Sequence, residues 1–206
     1  MEGSQGQRLL NIETDEPFIF EVEKGNREFN QKHYEALGEV ITEEVYNLLE
    51  SETHLKRHII PVRLVIIINV TIFFLASEDA FTNPVKLMII IHGSGVVRAG
   101  NGLEGKLIMN DCLDSGTQLP FIKRAMREGY GVVVLMETEN HIETKGKKIN
   151  IRGSSTPERH GQYVWRHFIS KSQAKRIDIV AHSYGGVVVM ETVVVDDRKK
   201  WGGAVG

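Results

Sequence analysis

Hydrophobic and polar positions change their period several times along this chain, and each change marks an element. Residues 17–22 (PFIFEV) predict a short strand. From Asn26 onward, Phe29, His33, Leu37, Val40, Ile41, Val45, Leu48 and Leu49 recur at steps of three and four. This predicts a helix capped by Asn26 and ending near Ser51, with one apolar stripe facing a sheet. Residues 59–76 (IIPVRLVIIINVTIFFLA) are the most apolar part of the chain, and their dense β-branching predicts one or two buried strands. A loop at 77–84 leads to a strand at 86–91. Residues 96–115 are rich in Gly and Asn and predict irregular chain, with a short helix near 106–109.

The second half alternates more regularly. Residues 118–128 predict a helix with Pro120 in the first turn and Gly129 as its stop. Residues 131–136 (GVVVLM) predict a buried strand, and 137–153 a charged surface insertion. Ser155-Thr156-Pro157-Glu158 opens a helix running to about Lys171. The strand 177–180 follows, and Val187 onward reads as a buried helix ending near Asp196.

Strand and helix in alternation predict an α/β fold, a mostly parallel sheet with flanking helices. Strand ends then line one edge of the sheet, which puts His92 and Ser183 together where ligands of such sheets bind. The division expected is a flexible lead-in at 1–16, one domain at 17–196 and an unstructured tail at 197–206.

Composition narrows the class. A chain of 206 residues can bury one sizeable core, and a net charge of −2 gives no general attraction to nucleic acid. The single cysteine, Cys112, can form no internal disulfide and no cysteine zinc site. The polar, acidic N-terminus is no secretory signal. Within 59–76 the uninterrupted part, 64–76, falls short of the ~20 residues a span needs, and Asn69 and Thr71 break it, so no membrane role is expected. Lys145, Lys147, Lys148 and Arg152 read as a solvated loop, and no nucleic-acid motif, metal site or cofactor is expected.

Candidate chemistry lies in Ala181-His182-Ser183-Tyr184-Gly185-Gly186. A serine between small residues on a tight strand-to-helix turn is the nucleophile-elbow pattern, with Ala181 in place of the first glycine. At a helix N-terminus, free N–H groups and the helix dipole favour an oxyanion. His92-Gly93-Ser94-Gly95 follows a strand about ninety residues earlier, where its backbone would complete an oxyanion hole with the Tyr184 N–H. In this fold an acid and then a histidine should follow the serine. The 23 residues after Ser183 hold Glu191, Asp196 and Asp197 but no histidine. Upstream, His160 and His167 lie on a helix and read as structural or solvent-facing.

Three segments, KLMIIIHGSGVVRAG (86–100), LDSGTQLPFIKRAMREGYGVVVL (113–135) and IVAHSYGG (179–186), resemble the argonaute-binding domain family, closest to its animal co-transcriptional regulator branch. The resemblance spans roughly residues 10–195. It implies an α/β-hydrolase-like fold and a part in small-RNA silencing, heterochromatin and alternative splicing. The partners it implies are argonaute and chromatin-associated proteins, and the locations are nucleus and cytoplasm. The family's nucleophile position corresponds to Ser183 and its oxyanion loop to residues 92–95. The family is expected to continue with strands bearing the triad Asp and His, so this chain reads as C-terminally truncated. The expectation is a non-catalytic adaptor; the alternative is a serine hydrolase using Ser183.

Overall fold

A computed structural model describes residues 8–60, 72–92, 112–135, 141–144, 147–150 and 154–196. The first helix, α1, spans Arg27–Thr53 and is capped as expected, with the Asn26 side chain accepting from the Phe29 N–H. Strands β1 (Lys56–Ile60), β2 (Ile72–Ala76) and β3 (Lys86–Ile91) follow. After them come the short α2 (Leu113–Gly116), α3 (Leu119–Arg127) and β4 (Gly131–Leu135). A separate hairpin pairs β5 (His141–Thr144) with β6 (Lys147–Asn150). Helix α4 (Pro157–His167), a 3-10 turn (Ile169–Lys171), β7 (Arg176–Ala181) and α5 (Tyr184–Asp196) complete the described chain.

The main sheet has the order β1-β2-β4-β3-β7. Strand β3 runs parallel to both β4 and β7, while β2 is antiparallel to β1 and β4. The sheet is therefore mixed, its parallel part confined to β4, β3 and β7, the last two of which lead into the candidate site. Period-two alternation decides which residues face which layer. Ile90, Val132 and Val134 face a core with Tyr34, Ile41, Val45 and Leu49 of α1 and Ile122 of α3. Leu87, Ile89, Ile91, Val133 and Leu135 face the other core, with Val164 and Trp165 of α4 and Val188 of α5. All of β4 is buried, as expected of a central strand covered on both faces. The outcome is an α/β fold, a mixed sheet with helices on both faces.

Several expectations need correction. Residues 17–22 form no strand; one isolated bridge joins Leu10 to Pro17. The two ends of the apolar run, 59–60 and 72–76, lie in two antiparallel strands, within the one or two expected, but β1 starts earlier, at Lys56; residues 61–71 lie outside the described residues. The charged insertion contains the β5–β6 hairpin. The expected helix at 155–171 is an eleven-residue helix plus a 3-10 turn. The α1 stripe does not all face the sheet: Phe29 and Val40 point to solvent. A helix has one buried face, and here Tyr34, Ile41, Val45 and Leu49 supply it. The short helix expected at 106–109 and the tail at 197–206 lie outside the described residues. Among the described residues no helix is long and apolar enough to cross a membrane.

Candidate functional site

Strand β7 ends at Ala181, and the chain turns through His182 and Ser183 into α5. Ser183 has φ +52°, in the left-handed region. For a side chain bearing a Cβ this costs about 1–2 kcal/mol, so the surrounding structure must impose it. Its restraints are visible. The His182 N–H donates to the Ile91 carbonyl at 3.0 Å, which continues the β3–β7 pairing one step past the strand. The Gly185 N–H then donates to the His182 carbonyl, and the Gly186 N–H to that of Ser183, both at 3.0 Å.

Gly185 is required by close approach. A Cβ built there would sit 2.5 Å from the Ile91 carbonyl oxygen and 3.0 Å from that of His92. The end of β3 is thus pressed against the first turn of α5. Gly186 has open space around a built Cβ, so sterics do not demand it. The turn leaves Ser183 and Tyr184 exposed. The Tyr184 N–H belongs to the first residue of α5, where helix-terminal N–H groups and the dipole favour negative charge. The backbone here is a tight strand-to-helix turn with the serine at its apex.

The remaining expected residues are placed less favourably for catalysis. His92 follows β3 and is fully buried; Gly93, Ser94 and Gly95 lie outside the described residues. His182 is exposed. His160 is fully buried on α4, its Nδ1 3.0 Å from the Ser154 Oγ. Burial, and secondarily the positive charge of a protonated His92, push its pKa down to about 3. It is neutral at ordinary pH. His167 is exposed, its ring 4.3 Å from that of Tyr163 and tilted 37° to it. Among the described residues none hydrogen-bonds the Ser183 side chain, and Glu191 is exposed on α5.

One residue at the site was not singled out by the sequence reading. The Tyr184 hydroxyl donates to the Glu158 carboxylate, tying the elbow to the first turn of α4. Hydrogen bonds from Thr156 and then Tyr184 hold that carboxyl below its ordinary range. The Thr156-Pro157-Glu158 sequence was legible only as a helix opening. The two helices also touch closely further along. A Cβ at Gly161 would sit 2.7 Å from Val188 Cγ1, and Gln162 Nε2 donates to the Glu191 carbonyl at 3.2 Å. Among the described residues no group of three His, Cys, Asp or Glu side chains is arranged to hold a metal ion.

Comparisons with known proteins place the chain in a family. The mouse "Cotranscriptional regulator ARB2A" is 42% identical over 236 aligned residues, covering 91% of this chain and 56% of its own length. The human protein of that name is 41% identical over 235 residues, with the same coverage of both chains. The chain thus spans little more than half the length of these relatives. Among solved structures, that of the histone deacetylase Clr3 overlays with a TM-score of 0.45 and 16% identity, over 75% of this chain and 23% of that one. The family model of the Arb2 domain matches residues 5–206, nearly the whole sequence. The chain belongs to the Arb2 domain family.

Proposed function

We propose that this chain is the α/β-hydrolase-like domain of a cotranscriptional regulator that works by binding rather than by catalysis. Its partners are argonaute and chromatin-associated proteins, its processes small-RNA silencing, heterochromatin formation and alternative splicing, and its locations nucleus and cytoplasm. The observation that carries this reading is the 42% identity to a relative named as a cotranscriptional regulator. Burial of His160 supports it, because a histidine held neutral to about pH 3 is a weak general base. The test is recovery of argonaute on the tagged chain from nuclease-treated nuclear extract. Recovery above that on an unrelated α/β domain is expected, and equal recovery would refute the adaptor reading.

A second reading has its own support. The left-handed Ser183, held against a cost, is the backbone of a serine nucleophile. As a serine hydrolase, the domain would use the Ser183 Oγ to attack an ester, thioester or amide carbonyl. The Tyr184 N–H and the backbone of residues 92–95 would receive the oxyanion. A fluorophosphonate probe tests this directly, since it labels only an activated serine. Labelling of the wild type that vanishes in Ser183→Ala would establish the second reading over the first.

A further inference from the structure

We propose that the outward face of α1 is a docking surface for a basic, amphipathic segment of a partner polypeptide. Helix α1 buries Tyr34, Ile41, Val45 and Leu49 against the sheet. The reverse side of such a helix ordinarily carries charge. Here Phe29, His33, Ala36 and Val40 follow one another at steps of four, three and four, which sets them in a single line along the helix. All four are exposed, Phe29 by 46% and Val40 by 68%. Phe29 and His33 stack with rings 6.3 Å apart and 7° from parallel, which holds the two rings side by side as one flat surface. A single exposed apolar side chain needs no explanation; a line of them on the back of a packed helix marks a contact.

The border of the stripe indicates what covers it. Helix α1 contains seven glutamates against Arg27 and Lys32. Lys32 is paired with Glu28. Glu39 and Glu43, beside Val40, have no ion-pair or hydrogen-bond partner among the described residues. An acidic margin repels nucleic-acid phosphates and anionic lipid. It complements lysines and arginines that flank apolar anchors at helical spacing, the pattern of a helix laid on an apolar groove. This gives the adaptor reading a surface. It rests on that reading only for the partner's being a protein, and its failure is separable: argonaute recovery unchanged by α1 variants would remove the surface and leave the adaptor.

The test uses the full chain and two fluorescein-labelled amphipathic peptides, one of leucine and lysine, the other of leucine and glutamate. Fluorescence anisotropy should show binding of the lysine peptide, weakened by added salt, and none of the glutamate peptide. Val40→Asp, and separately the pair Glu39→Lys with Glu43→Lys, should each weaken the lysine peptide by about tenfold or more, with an unchanged circular dichroism spectrum and unfolding midpoint. Equal binding of both peptides, or binding indifferent to these variants, would overturn the proposal. So would oligouridine or phosphatidylserine-vesicle binding that these variants abolish, or self-association in sedimentation that Val40→Asp abolishes.

Discussion

Replacing Gly185 by alanine probes the contact on which the elbow depends. The added Cβ would lie 2.5 Å from the Ile91 carbonyl oxygen, nearly an ångström short of ordinary contact, and 3.0 Å from that of His92. Both obstacles are backbone at the end of a central strand, so neither can rotate away. Overpacking of this kind costs about 1–3 kcal/mol, and a rigid neighbour puts it near the upper end. Alanine in place of glycine within a helix returns about 1 kcal/mol. The net loss is about 2 kcal/mol. Gly186→Ala, one residue along, meets nothing within 4 Å and keeps only the helical gain, so it should stabilise by up to about 1 kcal/mol. For a chain of this size the pair should differ by roughly 6–12 °C in unfolding midpoint. Urea unfolding followed by circular dichroism, with thermal melts, measures both. Equal midpoints, or a larger loss at Gly186, would refute the placement of α5 against β3.

Two further outcomes follow from the same geometry. Ser183→Gly should stabilise the fold by about 1 kcal/mol, because glycine adopts the left-handed conformation freely, while Ser183→Ala should gain nothing; comparing the two midpoints checks the backbone strain. His160 has its pKa lowered to about 3, so the unfolded chain takes up its proton first as pH falls through the ordinary histidine range. Its neutral form stabilises the fold fully above about pH 6.5, and that contribution is lost progressively down to about pH 3, by up to about 1.4 kcal/mol per pH unit. Denaturant unfolding between pH 7 and pH 4 should therefore slope less steeply in His160→Gln than in the wild type; parallel curves would contradict the neutral, buried placement.

How far the sequence disclosed this structure depended on whether the signal was local. The strand-to-helix turn at Ser183 was legible because a serine between small residues after a β-branched run is specified by its immediate neighbours. The close approach of Gly185 to Ile91 then follows from the pairing of β3 with β7. The Asn26 cap, the Pro120 start of α3 and the burial of β4 were legible for the same reason. What depends on distant partners was not. The antiparallel placement of β1 and β2 is set by pairing across the sheet, which β-branching alone does not encode. Phe29 and Val40 fit the same spacing as Val45 and Leu49, so spacing alone puts the whole α1 stripe in the core. Only the fold divides them between two faces. Glu158 reads only as part of a helix opening, and its partner Tyr184 is 26 positions away.

The central claim, that a hydrolase-like elbow here serves a binding protein, meets its most direct test in fluorophosphonate labelling of the purified chain beside Ser183→Ala. The account predicts no labelling of either protein, since among the described residues no base is placed against the Ser183 hydroxyl, which then keeps its ordinary weak nucleophilicity. Stoichiometric labelling of the wild type that disappears in Ser183→Ala would contradict it.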